Sequence, residues 1–360
     1  MVGLIFDFNK KIKFKKMNRI IFSIFLIPLF LLLPCTTSAH KIFILMSYQK
    51  NDKCGNPQLR GVIDALRYEG HDEQAMQIFF FNARTSSQEE LERRKSEALN
   101  AFKEYEPDVT VSIDDLAFQT IAPYFLYKKG RGFLVFTGTN ISPEDYNRKY
   151  HFHQNRRPIA RITGVYEKLF IKKQLRFIKL IFGEKTGRIP VLYSSDPVGT
   201  IVLKQILDEV SGTPYETWIV PMKVNTLMDV KIAARKVQED PKIKAYIPLT
   251  VAIKSDDDPH KTLTIKDVAP VLLEAIKKPD LALNAAFVDL GFWGGVSVDF
   301  YEMGYCAGQM AAMLLKGYHI DSIKIKDAPH TVTILNLKRN QEIGLRLPGP
   351  VMGMVDTFIK

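Results

Sequence analysis

The chain has 360 residues, room for two lobes of ordinary size, and its 46% hydrophobic and 25% charged content excludes a disordered or low-complexity protein. The formal charge is +11, but Lys10, Lys11, Lys13, Lys15, Lys16 and Arg19 stand against Asp7 alone in the first 39 residues, which leaves +6 for the remainder. Those later charges are scattered, with no basic tract interleaved with aromatics, and this argues against a nucleic-acid partner.

The leader comes first. "KKIKFKKMNR" precedes "IIFSIFLIPLFLLLP", and "CTTSAH" follows. A basic region, an apolar run and a small-residue cleavage site are the parts of a secretory signal. Residues 1–39 are therefore read as a signal peptide cleaved after Ala39, with Thr37 and Ala39 at its −3 and −1 positions. The run is shorter than the ~20 residues of a spanning helix, and Pro28 interrupts it. Met17 serves as a start as well as Met1. Cys35 suggests a lipid anchor, but Pro34 stands where a small residue is wanted, so the expectation is a soluble protein, periplasmic or otherwise secreted. Cys54 and Cys306 remain and could pair in an oxidising compartment; a free, buried Cys306 is the alternative.

From residue 41 two periodicities alternate. "KIFILMSY" is a strand, and "NPQLRGVIDALRYEG" has helical spacing and stops at Gly70. "QAMQIFFFNA" is a strand. "TSSQEELERRKSEALNAFKEYEP" is a helix with a serine cap and an acidic first turn. "DVTVSIDD" (strand), "LAFQTIAPYFLYKKG" (helix, with Pro123 inside) and "GFLVFTGTN" (strand) follow. Residues 141–156 read as a polar loop. The alternation resumes with "IARITGVYE", "RIPVLYSSD", "TWIVPMKV", "IKAYIPLTVAI" and "LALNAAFVD" as strands. Helices at "KLFIKKQLRFIKLIFGE", "PVGTIVLKQILDEVSG", "TLMDVKIAARKVQED" and "IKDVAPVLLEAIKK" separate them. After the glycine loop "GFWGG" come a helix at 301–317, strands at "DSIKI" and "TVTILNLK", and a weakly helical tail.

This alternation predicts an α/β fold of two doubly wound, Rossmann-like lobes with parallel sheets. In such sheets ligands bind beyond the carboxyl ends of strands. The predicted ends are Ser47 and Tyr48, Asp114 and Asp115, Thr137, Gly138, Thr139 and Asn140, Tyr193 to Asp196 with Ser194 and Ser195, Thr250, and Asp289. Hydroxyls, amides and carboxylates of this kind suit a small ligand with charged or hydrogen-bonding ends. One of the two aspartates binding a ligand cation is favoured over acid–base catalysis, because adjacent strand-end residues point differently.

Other chemistry has little support. The glycine loop is not G-x-G-x-x-G, no phosphate-binding loop or serine-hydrolase elbow occurs, and no cofactor is implied. His151 and His153 flank Phe152 without a third ligand nearby. Asp256, Asp257, Asp258 and His260 lack the glycine and distal glutamate of a calcium loop, so no metal is expected. Gly304, Gly308, Ala311 and Ala312 give the helix at 301–317 a small-residue face suited to close packing against a sheet.

Taken in order, "MSY" with its helix to Gly70, "PDVTVSIDDLAF", "FLVFTGTN", "ITGVYEKLFIKKQLRFIKLIFGE", "RIPVLYSSD" and "DFYEMGYCAGQMAAMLLKG" resemble the substrate-binding proteins of uncharacterised ABC-type transport systems. That family has the periplasmic binding protein type I fold. The resemblance covers nearly all of residues 41–360. It implies two lobes joined by a hinge, a small ligand between them, a membrane permease as partner, a monomer and no catalysis. Lobe 1 would be 40–150 plus about 295–330, lobe 2 would be 151–294, and 331–360 a strand and tail near the hinge. Crossings would fall near 141–160 and 290–300. Gly291, Gly294 and Gly295 would be hinge glycines, with Asp289 and Trp293 facing the cleft. The ligand would be small and polar or zwitterionic, an amino acid for instance. A ligand sensor in a signalling system, or an enzyme on the same scaffold, are the alternatives. The chain departs from the family at "SYQKNDKCGN" and "FWGGVSV", both where ligand contacts are expected.

Overall fold

The computed structural model describes residues 40–360 except Thr85, Val251, Pro259 and His260. The signal segment with Cys35, and His260, lie outside the described residues.

The first lobe begins with strand β1 (Ile42–Met46), whose five side chains are all buried. Helix α1 (Gly55–Tyr68) buries Leu59, Val62 and Leu66 and ends before Gly70, which has φ +89°. Strand β2 (Met76–Phe80), helix α2 (Gln88–Tyr105), capped by Ser87, and strand β3 (Val109–Ile113) follow. Helix α3 (Asp115–Ile121) gives way to a 3-10 turn where Pro123 lies. Strand β4 (Phe133–Thr139) completes this run.

Residues 141–156, expected to be a polar loop, instead form helix α4 (Pro143–Tyr150), whose start is set by the Ser142 cap and Pro143 at its first turn. A small hairpin, β5 (His153–Gln154) with β6 (Arg157–Pro158), follows. Strand β7 (Ile162–Tyr166) then pairs in parallel with β4. The segment expected to open lobe 2 at residue 151 therefore belongs to the first sheet. "ITGVY" is apolar on both faces, so its pattern fits either sheet; only pairing decides.

Helix α5 (Ile171–Phe182) opens the second lobe. Strand β8 (Ile189–Tyr193), helix α6 (Pro197–Val210), strand β9 (Ile219–Lys223), helix α7 (Leu227–Glu239) and strand β10 (Ile247–Leu249) continue it. A hairpin of β11 (Ala252–Lys254) and β12 (Thr262–Thr264) leads to helix α8 (Ile265–Ala275). "LALNAAFVD", expected to be a strand, bridges to neighbours only at Asp280 and Leu281 and then turns into helix α9 (Ala285–Asp289). Short apolar runs are ambiguous between the two states.

Strand β13 (Gly294–Val298) ends at the return crossing. Helix α10 (Phe300–Leu315) goes back to the first lobe, where β14 (Lys326–Asp327) joins β7. The chain crosses a third time into β15 (Thr331–Asn336), helix α11 (Leu337–Glu342), helix α12 (Gly349–Met352) and β16 (Thr357–Ile359).

The first sheet runs β14-β7-β4-β3-β1-β2, parallel throughout. The second lobe has β10-β8-β9 in parallel. Single bridges through Asp280 and Leu281 link it to β13-β15-β16, where β13 and β15 are antiparallel. The tail at 331–360 thus belongs to the second lobe: Leu335 and Val351 are in its core with Trp293. The crossings are at 167–170, 298–299 and 328–330.

The small residues of α10 have a definite use, and it is against a helix. A Cβ on Gly304 would lie 2.1 Å from the Gln58 carbonyl oxygen, and one on Gly308 would lie 2.6 Å from that of Val62, so α10 rests directly on α1.

Candidate ligand cleft

The carboxyl ends of β1, β3 and β4 and the first crossing bring the candidate residues into one region. Asp114 ends β3 at φ +76°, a conformation that costs a non-glycine residue energy and concentrates at functional sites. Its carboxylate accepts a short hydrogen bond from the Tyr48 hydroxyl. Burial first, and then the neighbouring Asp115 charge, push Asp114 up to about 7. Burial, with Asp114 beside it, holds the Tyr48 phenol well above its usual value. Arg84 lies 4.3 Å from the Tyr48 ring centre and pairs with the buried Asp52 carboxylate at 3.0 Å. Burial opposes the Arg84 charge, but Tyr48, Cys54 and Asp52 outweigh it and raise its pKa.

Asp115 is used differently. Its carboxylate accepts from the Asn140 backbone (2.9 Å) and side chain (3.1 Å), the Ile141 backbone (3.2 Å) and the Tyr146 hydroxyl (2.6 Å). Four donors make it the fastening of the β4–α4 turn. Ser47 donates to the Ile113 carbonyl and accepts from Ala117 N–H, both at 3.0 Å. Thr137 donates to Gln58 at 3.3 Å. Gly138 has φ +70°, and a Cβ there would meet the Gln58 amide. Thr139 is fully buried with an unpartnered hydroxyl.

The residue that sequence reasoning missed is Glu167, the first of the crossing. It is 8% exposed, and its side chain makes no hydrogen bond or ion pair to the described residues. Burial first, then the charges of Asp114 and Asp115, raise its pKa well above the carboxylate range. Its backbone N–H donates to Thr139 (3.3 Å), and its carbonyl accepts from Gln205 of α6 (2.8 Å). Glu167 closes "ITGVYE", so the strand-end rule that chose Asp114 would have found it. Arg84 and Asp52 carried no such signal.

The second-lobe candidates serve local structure. Asp196 caps α6, accepting from Val198 and Gly199 N–H at 3.0 and 3.1 Å, and Ser194 donates to it. Ser195 donates to Asn225, and Thr250 to the Leu192 carbonyl. Trp293, expected to face the cleft, is fully buried and donates to Asn340 at 2.9 Å. Gly291, Gly294 and Gly295 precede the return crossing rather than form it. Gly294 and Gly295, with φ +117° and +124°, admit the Ile334 carbonyl and the Gln174 side chain, each within 2.5 Å of where a Cβ would stand. Close packing inside lobe 2 is their purpose. Asp289 is exposed at the end of α9 and pairs with Lys53 of the first lobe at 2.9 Å. Cys54 and Cys306 are both free thiols.

Among the described residues two ion pairs span the lobes: Lys53 with Asp289, and Lys204 of α6 with Asp145 of α4 at 3.2 Å. Between α4 and α6 lies an open cavity of about 720 Å³ that reaches Asn140, Tyr166, Lys168 and Gln205. The first crossing is pinned by Glu209 of α6, whose carboxylate accepts from the backbone N–H groups of Leu169, Phe170 and Ile171 at 3.1, 3.1 and 2.9 Å. Among the described residues no group of three His, Cys, Asp or Glu side chains is arranged to hold a metal, and no helix is long and apolar enough to cross a membrane.

The family model described as ABC transporter substrate binding protein matches residues 55–357. Among solved structures, a conserved domain protein from Vibrio cholerae O1 biovar El Tor superposes with a TM-score of 0.65 at 17% identity. The match covers 89% of this chain and 100% of that one. An ABC domain from Streptococcus pneumoniae in complex with L-Trp gives 0.63 at 19% identity, over 89% and 100%. A ligand-free, open substrate-binding protein with adhesive properties from Clostridium difficile gives 0.65 at 15%, over 89% and 99%. Comparison with curated protein sequences finds no match.

Proposed function

Because the chain belongs to the ABC transporter substrate-binding protein family, we propose that it is the extracytoplasmic solute receptor of an ABC import system. It takes a small polar or zwitterionic solute with a cationic nitrogen, amino acids being the first class to test. The observation that carries this reading is Glu167: a buried carboxyl at the first crossing, with no hydrogen-bond or ion-pair partner among the described residues and within electrostatic reach of Asp114. Burial raises its pKa well above the carboxylate range, and a ligand cation beside it would favour the ionised form and offset that cost. The L-Trp in the Streptococcus pneumoniae neighbour supports placing amino acids in the first screen.

Asp114 and Tyr48 belong to the first lobe and Glu167 to the crossing, so a cation seated among them touches the element that moves on closure. Ligand that binds the closed arrangement better shifts the population toward it, and the Lys53–Asp289 and Lys204–Asp145 pairs form as the lobes meet. The closed monomer then docks on membrane permease subunits. Export by the leader places it outside the cytoplasm, and no step of this cycle needs catalysis.

The test is a thermal-shift screen of residues 40–360 against amino acids, organic acids, sugars and nucleosides. A ligand at 100 times its Kd adds about 2.7 kcal/mol to stability, several degrees in Tm for a chain of this size. No shift with any compound, in folded and ligand-free protein, would remove the support for a receptor.

A further inference from the structure

At the opposite edge of the first sheet, where the strands begin, one loop is fixed from within. Residues 122–132 lead from α3 to β4 and wrap around the guanidinium of Arg161, which stands just before β7 and is 7% exposed. Arg161 has no acidic partner among the described residues. It donates instead to the carbonyls of Tyr124 (2.7 Å), Tyr127 (2.8 Å) and Gly132 (2.6 Å), and to that of Arg131. It also lies 5.1 Å from the ring centre of Phe125. A loop fastened to a buried cation holds its outward side chains in place. Those are Tyr127, 76% exposed, Tyr124, 38% exposed, and the exposed Lys128 and Lys129. Lys103 of α2 joins them, 5.7 Å from the Tyr124 ring centre. None of the three lysines has an ion-pair partner among the described residues, and no acid occurs in the chain between Asp115 and Glu144.

We propose that this loop seats the first lobe on an anionic phospholipid surface, with Tyr124 and Tyr127 in the headgroup layer and Lys103, Lys128 and Lys129 at the phosphates. Tyrosine has an apolar body and a polar tip and suits the boundary between lipid and water. Lysine lays its stem along apolar surface and keeps its charge at the phosphate level, where an anionic bilayer attracts it. The loop's position points to the same partner. Arg131 pairs with Asp108 at 3.7 Å. The Asp108 carboxylate also accepts from the Lys41 N–H at 2.9 Å and lies 3.7 Å from the His40 ring nitrogen. Residue 40 is where the leader joins, so the loop stands beside the point at which the chain is last attached to the exporting membrane. The ligand cleft is at the other ends of the same strands, so lipid at the loop leaves it open. This rests on the extracytoplasmic location proposed above and not on which solute the cleft takes.

Flotation of residues 40–360 with vesicles tests this. The vesicles are phosphatidylglycerol and phosphatidylcholine in equal parts, or phosphatidylcholine alone. The salt is about 0.1 M or about 1 M, between which the Debye length falls from ~10 to ~3 Å. The expected result is binding to the mixed vesicles at the lower salt, and binding at least tenfold weaker without phosphatidylglycerol or at the higher salt. A lysine near an anionic surface is worth about fivefold, so Lys128→Gln with Lys129→Gln should weaken binding at least tenfold. Tyr127→Ser should weaken it severalfold. All three side chains are exposed, so the Tm of these variants should match that of the parent. The control is Arg188→Gln with Lys242→Gln in the second lobe. These are two exposed cations, also without an ion-pair partner among the described residues, and the net charge changes by the same amount. This variant should bind as the parent does. No binding to the mixed vesicles would overturn the inference. So would an equal loss in the two double variants, which leaves only net charge as the cause, or unaltered binding by Tyr127→Ser. Solute binding by the Lys128→Gln, Lys129→Gln protein should equal that of the parent, so the receptor reading stands or falls separately in the thermal-shift screen.

Discussion

Lowering the pH should switch ligand capture off, and Asp114 sets the range. Its carboxyl is raised from 3.8 to about 7, so the ionised fraction is about one half at pH 7 and about 1% at pH 5. If a cationic ligand binds only the ionised form, its apparent affinity falls by that fraction: about fivefold from pH 7 to 6, and about 50-fold from pH 7 to 5. The surrounding groups do not reverse the sign. Tyr48 and Cys54 are pushed up by burial and stay neutral, Arg84 stays charged, and Lys53 is turned to Asp289. Glu167 and Asp115 are themselves raised and can only steepen the slope. Linkage gives a matching effect on the free protein. A carboxyl whose folded pKa is raised binds more protons when folded, so its contribution to stability is present below about pH 4 and is lost as pH rises to 7. The shift corresponds to about 4 kcal/mol at most. Titration calorimetry from pH 5 to 8 with the tightest-binding cationic-nitrogen solute from the thermal-shift screen, in buffers of different ionisation enthalpy, measures both the Kd and the protons released. A Kd that is flat over this range, or tighter at pH 5, would refute the reasoning.

Two predictions concern the frame. Glu209→Ala leaves the N–H groups of Leu169, Phe170 and Ile171 without their acceptor and should cost about 2–4 kcal/mol in urea unfolding, Glu209→Gln about half as much. In the second lobe Arg339 is 1% exposed and donates to Asp280 at 2.8 and 3.0 Å and to the carbonyls of Leu273 and Ile276. Arg339→Leu strands Asp280, already raised to about 6 by burial, and should cost about 3–5 kcal/mol. Adding Asp280→Asn, whose oxygen can still accept from Trp293 N–H, should restore most of that loss in the same assay.

The alternation of periods made the α/β class legible, and most elements from β1 to α8 lie where their patterns put them. Lobe membership was not legible: "ITGVY" and "IPVLY" read alike, and only the β4–β7 pairing assigns the first to lobe 1. The polar text of 141–156 hid a helix because its face is mostly solvated, although the Ser142 cap and Pro143 were there to read. At the site, the strand-end rule found Asp114 but treated Asp115 as its equal, whereas one residue of offset sends the second carboxylate into a turn. It also chose Ser194, Ser195, Asp196 and Thr250, which hold α6 and β8 in place. Glycine composition misled most: Gly294 and Gly295 make room for Ile334 and Gln174, a three-dimensional contact that no local pattern encodes.

The three crossings also bear on how the molecule is made. The first sheet runs through residues 42–166, yet α10, which rests on α1, and the edge strand β14 come only after the second lobe has begun. β13 in turn waits for β15, and β15 for β16 at residues 357–359. Neither lobe is a contiguous stretch, so a chain emerging from its amino end holds α1 uncovered until nearly the last fifth has appeared. Pairings of such long sequence separation form slowly. The topology delays closure of either core until most of the chain has been made.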